Sequence, residues 1–299
     1  MIKRYWHVCK FHGPRGLVLA AGRRLFPPKA KCIQVCRELV TGRVGLEVGG
    51  PSLAFSKGGL LPVYPIVGRL DSCNFAQQTI WEGSIKEGHH FRYDDQKPLG
   101  YQYIAEASDL SRVSTGAYDF LLSSHVLEHL ANPLKALQDW KRVLGKQGTL
   151  ILIVPHKEGT FDHRRPVTEL SHLVDDFRKS TGEDDLTHLE EVLALHDLDI
   201  HPGGCDWPTL RERSLRNFEN RCLHQHVFDT TLLMRVVNYV GLQILAVEAL
   251  LPFHIILVAR KVVSDESPNN AKFITGSPAC LTTSPFRMDR QRVPLIGYE

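Results

Sequence analysis

Apolar residues along this chain come in short dense runs, separated by stretches where they recur every three or four positions. The dense runs at 44–48, 66–70, 102–105, 117–122 and 149–154 have the length and the branched and aromatic content of buried strands. The spaced stretches read as helices. Residues 29–40 put Cys32, Ile33, Cys36 and Val40 on one face, and 133–144 do the same for Leu134, Leu137, Trp140, Val143 and Leu144. Asn132 before Pro133 supplies an N-cap and a first-turn proline, and Gly145 and Gly148 stop that helix. Residues 126–130 read as one helical turn, and 227–239 as a helix closed by Gly241. Strand and helix alternate, which predicts a doubly wound, mostly parallel α/β sheet. The last two runs, 243–250 and 254–261, are joined around Pro252 by a turn too short for a crossover. They predict an antiparallel hairpin that brings the sheet to seven strands.

Composition narrows the class without naming it. The 299 residues are 43% hydrophobic and 23% charged, enough for a substantial core. The net charge of +3, from 36 Lys and Arg against 33 Asp and Glu, is too mild to predict a nucleic-acid partner, and no basic stripe is interleaved with aromatics. The longest apolar run, 250–259, is broken by Pro252 and His254, so no membrane partner is expected. An apolar patch at 16–21 is too short for a signal-peptide core, and Arg23 and Arg24 follow it. Seven scattered cysteines form neither a disulfide framework nor a Cys-x-x-Cys pair, which fits reduced thiols in a cytoplasmic protein. The organisation read from this is an N-terminal extension with a lead-in helix (1–42), a main domain (43–262) holding a histidine-rich insert (156–226), and a Ser-, Pro-, Asn- and Thr-rich tail (263–299) expected to be disordered.

Candidate chemistry starts where the first strand ends. Glu47-Val48-Gly49-Gly50 closes a strand on an acid and two glycines, a turn that lets a ligand come close to the backbone. Asp71 follows Glu47 by 24 positions, where an acid at the end of a second strand has two acceptor oxygens for two ribose hydroxyls.

Taken as a set, these residues resemble the class I S-adenosylmethionine-dependent methyltransferases that act on small molecules. Glu47-Val48-Gly49-Gly50 is similar to their first motif, Ser108-Asp109-Leu110 to the adenine-binding segment, and Tyr118-Asp119-Phe120 with Ser124-His125-Val126-Leu127-Glu128-His129-Leu130 to the fourth-strand motif. Leu144 to Pro155, similar to their fifth strand, and the terminal hairpin also carry the resemblance, so the likeness covers 43–155 and 227–262. It implies a Rossmann-like fold and S-adenosyl-L-methionine as cofactor. The Gly49–Gly50 turn would lie against the methionine part, Asp71 would take the ribose, Ser108 and Asp109 the adenine, and Ser124 and His125 the sulfonium or acceptor. One departure stands out: Pro51, Ser52 and Leu53 replace the usual third glycine. Pro51 has no N–H to give, so the Ser52 hydroxyl would have to compensate or affinity would fall.

The insert leaves from the rim of the fifth strand, where the resemblance implies acceptor recognition. A polar opening from His156 to Pro166 is followed by two expected helices, 167–179 and 184–195. An oxygen or nitrogen acceptor must lose a proton, and histidine suits that task. His156 and His163 are the candidate bases, with Asp162 placed to orient one of them. His188 with Glu191, and His224 with His226, share predicted faces, but no stretch has a metal signature with fixed spacing, so no metal is expected. The reading is therefore methyl transfer to a small or medium polar acceptor. A nicotinamide-dependent oxidoreductase lacks its Gly-x-Gly-x-x-Gly and fits the hairpin poorly. A non-catalytic cofactor-binding protein of the same fold is kept open by Pro51.

Overall fold

The computed structural model describes residues 29–263 and 266–292; the apolar patch at 16–21 and most of the N-terminal extension lie outside the described residues. Eight strands form the main sheet: β1 (Val44–Val48), β2 (Arg69–Asn74), β3 (Gly88–Phe91), β4 (Gly100–Ile104), β5 (Tyr118–Ser124), β6 (Leu144–Pro155), β7 (Leu242–Leu250) and β8 (His254–Lys261). Their spatial order is β3-β4-β2-β1-β5-β6-β8-β7. The five central strands, β4 through β6, run parallel. The hairpin β7–β8 is antiparallel and joins the sheet through β6, as the short turn at Pro252 predicts. The eighth strand is an addition to the expected seven: β3 pairs antiparallel with β4 at the far edge. His89 and His90 are exposed on it and give it no apolar alternation to read.

Period-2 alternation sends side chains to two cores. Leu150, Leu152 and Val154 of β6 join Leu257 of β8 on one face, under α2 (Pro133–Val143) and a later helix over Thr230–Tyr239. Ile151 and Ile153 take the opposite face with Phe120 and Val258, under α1 (Ile33–Val40). The lead-in helix therefore covers the sheet, through Ile33, Cys36 and Val40 as its spacing predicts. Asn132 caps α2 by accepting from Lys135 N–H at 3.0 Å. Trp140 on α2 is fully buried and donates to the Ala107 carbonyl at 2.7 Å, tying the helix to the loop after β4.

The insert contributes α3 (Leu170–Lys179), α4 (Leu189–Leu195) and α5 (Trp207–Leu215), and α6 (Thr230–Tyr239) returns the chain to the sheet. The expectation of a disordered tail is corrected. Residues 271–291 carry three short helices, Ala271–Ile274, Ala279–Thr282 and Arg287–Gln291, with Leu281, Phe286 and Asp289 fully buried. Polar contacts hold this segment down. Asp289 accepts from the hydroxyls of Thr230 and Ser284, each at 2.6 Å, and Phe286 stacks on His156 with ring centres 3.9 Å apart.

Candidate functional site

The chain leaves β1 toward β2 on one side and later crosses to β5 on the other. The strand order thus reverses between β1 and β5, which is where open α/β sheets leave a crevice beyond their carboxyl ends. A cavity of about 610 Å³ lies there. Gly49 and Ser52 from the turn after β1, Asn74 from the end of β2, Glu106 from the loop after β4, and Ser124 and His125 from the end of β5 line it. The insert closes the other side with Phe161, His201, Arg213, Arg221 and His224.

Gly49 has a φ of +83°, and a Cβ there would stand 2.4 Å from Val126 Cγ2, so glycine is required on both counts. Gly50 packs differently. A Cβ there would stand 2.3 Å from the Glu47 carboxyl carbon, which places the Glu47 side chain beneath the turn rather than in the cavity. Glu47 is fully buried, accepting from Tyr64 O–H at 2.7 Å and from Ser52 N–H at 3.1 Å. Burial pushes its carboxyl up to about 8, with those two donors only partly opposing the rise. The turn's amides are largely committed: Gly49 N–H donates to Cys73 O at 2.9 Å, Ser52 N–H to Glu47 and Tyr64, and Pro51 has none.

Two expected acids lie elsewhere. β2 runs on to Asn74, so Asp71 sits mid-strand opposite Leu46 and accepts from Tyr101 N–H at 2.9 Å and Tyr118 O–H at 2.8 Å. Asp109 is exposed and accepts from Ser111 N–H at 3.0 Å, while Ser108 is buried outside the cavity lining. Glu47, Asp71 and Asp109 thus do not line this cavity. At the ends of β2 and β4 their places on the rim are taken by Asn74, which donates to the Gly50 carbonyl at 2.9 Å, and by Glu106, which pairs with Arg221 at 2.5 Å. Asn74 Oδ1 and Ser124 Oγ are buried without a hydrogen-bond partner.

The candidate bases are also placed away from the cavity. His156 is fully buried, its Nδ1 accepting from Glu158 N–H and its Nε2 3.3 Å from Asp289, so it anchors the tail. His163 pairs with Asp197 at 2.9 Å. Asp162 does orient a histidine, but that histidine is His224, whose Nδ1 lies 2.5 Å from Asp162 Oδ2. Burial raises the Asp162 carboxyl, yet the neighbouring His224 and Arg165 more than offset it and hold the group well below the usual carboxylate range. Arg165 is itself buried, bridging Asp162 at 3.0 Å and Glu191 at 2.7 Å and donating to the His224 carbonyl at 2.8 Å.

Sequence reasoning weighed His224 only as a metal ligand beside His226, because the 62 residues between it and Asp162 carry no local signal. His129 joins it from the strand-five side, with ring centres 4.6 Å apart. Its Nδ1 lies 3.1 Å from the Leu223 carbonyl. Burial, reinforced by His224, lowers His129 to about 4, so it is a neutral imidazole at pH 7. Below both rings Glu128 is 1% exposed, and neither of its oxygens has a hydrogen-bond partner. Burial pushes the Glu128 carboxyl up, and the neighbouring imidazoles, His125 foremost, more than offset the rise. Glu128, His129 and His224 each bring a ligand atom within 4.8 Å of the others, as do His172, His188 and His226.

Residues 75–152 match the family model described as a methyltransferase domain. That span runs from the end of β2 through β6 and includes Glu106, Ser124, His125, Glu128 and His129. Over that stretch, 78 of the 299 residues, the chain is similar to a methyltransferase domain. Solved structures similar to this methyltransferase fold include a SAM-dependent methyltransferase from Methanosarcina mazei, 14% identical over 77% of this chain and 98% of that one with a TM-score of 0.43. Another is an S-adenosylmethionine-dependent methyltransferase from Mesorhizobium loti, 10% identical over 77% and 95% with a TM-score of 0.44. A third, from Aquifex aeolicus, is 14% identical over 78% and 90% with a TM-score of 0.37. No curated protein matches the sequence. Among the described residues no helix is long and apolar enough to cross a membrane.

Proposed function

We propose that this domain transfers a methyl group from S-adenosyl-L-methionine to an oxygen or nitrogen of a small or medium polar acceptor. The observation that carries the reading is one shared cavity. The cofactor-side groups after β1, β2 and β5 open into the same space as Phe161, His201 and His224 of the insert. Displacement at a sulfonium needs the partners aligned and water excluded, and a cavity walled by two chain regions provides that.

The cofactor is held here more by side chains than by the glycine turn, whose amides are mostly spent. Asn74 Oδ1 and Ser124 Oγ, both buried and unpartnered, accept from cofactor hydroxyl and amino groups. The Ser52 hydroxyl already accepts from Ala54 N–H at 3.2 Å and keeps its own proton to donate. Ser124 and His125, at the tip of β5, face the sulfonium. Gly49 lets the cofactor lie close to the backbone. Acceptor activation belongs to the histidines of the cavity wall, His129 and His224, in place of His156 and His163.

Calorimetric titration with adenosylmethionine and, separately, with NAD(H) tests the cofactor class; tighter binding of NAD(H) would reverse the assignment. A labelled-methyl assay against fractionated small molecules then tests turnover. Cofactor binding without label in any fraction would leave a non-catalytic binding protein.

A further inference from the structure

Glu128, His129 and His224 come from two distant stretches, and their geometry is that of a metal site. The far nitrogen of each ring is engaged by a group that only accepts. His129 Nδ1 faces the Leu223 carbonyl at 3.1 Å, and His224 Nδ1 faces the Asp162 carboxylate at 2.5 Å. Both rings therefore carry a proton on Nδ1, and His129 turns its Nε2 to the other side. A carboxylate or carbonyl behind the imidazole is the arrangement that fixes the tautomer of metal-binding histidines. On that other side lies Glu128. Its Oε1 is 3.8 Å from His129 Nε2 and 3.4 Å from His125 Nδ1, and neither carboxylate oxygen accepts a hydrogen bond. A fully buried carboxylate with no hydrogen-bonded donor is costly, and a neutral His129 ring beside it does not relieve the cost. A cation does.

We propose that Glu128, His129 and His224 bind one first-row divalent metal ion on the wall of the methyl-transfer cavity. Two imidazoles and a carboxylate leave coordination positions open to the cavity, as at catalytic metal sites. Ligand atoms on one such ion stand about 3.0–3.4 Å apart, so the three groups, all within 4.8 Å of one another, need close by at most about 1.4–1.8 Å.

The role of the ion rests on the methyl-transfer reading above, and it selects a hydroxyl acceptor. The ion would lower the pKa of a coordinated hydroxyl, whose proton would leave to bulk water as the acceptor enters, before the cavity excludes water. The oxygen's electron pair then forms a bond to the methyl carbon as the carbon–sulfur bond breaks, its pair returning to sulfur. The sulfonium becomes a thioether and the acceptor a methyl ether.

Full-length protein stripped with a chelator, then titrated with Zn²⁺ and with Co²⁺ and dialysed, tests this directly. The expected result is about one ion per chain by elemental mass spectrometry and visible absorption bands from the Co²⁺ form. Glu128→Gln and His224→Ala should each lower ion affinity by at least ~10-fold, and His172→Ala should leave it unchanged. His129→Ala gives a variant at a partly exposed position, and thermal unfolding of each variant shows that the fold survives. Less than a tenth of an ion per wild-type chain, or loss that follows His172 instead of His224, would overturn the site. Adenosylmethionine binding is measured on the same samples. Ion uptake without cofactor binding would sink the methyl-transfer reading and keep the site; cofactor binding without ion uptake would do the reverse.

Discussion

Among the described residues two clusters of three ligand-type side chains converge, and they differ in how their rings are engaged. In the cavity cluster a fixed acceptor backs both imidazoles, and a bare carboxylate lies in front of them. In the second cluster, at the junction of α3, α4 and the 224–226 segment, the rings of His172, His188 and His226 meet one another, with centres 4.9, 5.7 and 5.3 Å apart. His172 Nε2 and His188 Nε2 are 3.0 Å apart, so a proton lies between them, and Asp176 Oδ2 is 3.2 Å from the same His172 nitrogen. His226 is buried with its Nδ1 unpartnered. Three nitrogens close together are thus common to both places. His226 has its Nε2 on the Ala131 carbonyl at 3.3 Å, so one backed ring is common to both as well. What separates them is that His172 and His188 turn their Nε2 atoms on each other and spend them there, while both cavity rings spend only Nδ1 on an acceptor. The first cluster is arranged for a ligand, and the second for holding the insert together.

The contrast breaks most visibly in turnover. His224→Ala should cut transfer of labelled methyl by about 10²- to 10⁴-fold, while His172→Ala changes it less than ~3-fold. Equal losses would erase the distinction. Asp162→Asn acts one atom further back. It keeps the shape but weakens the hold on His224 Nδ1, and should lower ion affinity by about 10- to 100-fold in the same dialysis measurement.

The second cluster should show its role in stability. Asp176→Ala removes an acceptor shared by His172 and Thr181, and should cost about 1–3 kcal/mol in urea unfolding with cofactor affinity retained.

Acid sharpens the comparison from behind the cavity. Burial, then the nearby His125, lowers His254 to about 3, and burial lowers His196 to about 4. Between those values and the unfolded pKa of about 6.5, the unfolded chain binds more protons than the folded one. Stability should therefore fall as pH drops through that window, with a slope of up to about 1.4 kcal/mol per pH unit from the buried His196 and less from the half-buried His254. A flat profile from pH 6.5 to 4 would contradict the burial of both rings. An effect of opposite sign belongs to Glu47. Its folded pKa of about 8 lies above the ordinary 4.5, so its contribution is present at low pH and is lost as pH rises through that interval. Glu47→Gln should flatten the alkaline side of the urea-unfolding profile and leave the fold intact.

The elements that sequence read correctly are those whose pattern is enforced by burial on both sides. Residues 149–154 are apolar without a break because each face of β6 meets a core. Asn132-Pro133 marks the start of α2 to the residue because capping chemistry is local. The misreadings share a physical origin as well. The end of β2, Ser72-Cys73-Asn74, looks like loop because its last residues face a cavity and not a core, and this moved the strand end back to Asp71. The tail looks unstructured because its helices are four or five residues long and are fixed by Asp289 and by a stacked His156, neither of which has a period. The pairing of Asp162 with His224 depends on how a long insert folds back, which no spacing records.

The docked tail also sets where this fold ends. Cloning boundaries drawn at the close of the last strand, near residue 262, would retain every sheet pairing and still yield a faulty product. Such a truncated polypeptide bares the hollow that Phe286 fills and strands an imidazole whose carboxylate has been cut away. Sticky, poorly soluble material from that boundary would reflect where the gene was trimmed and carry no information about the enzyme.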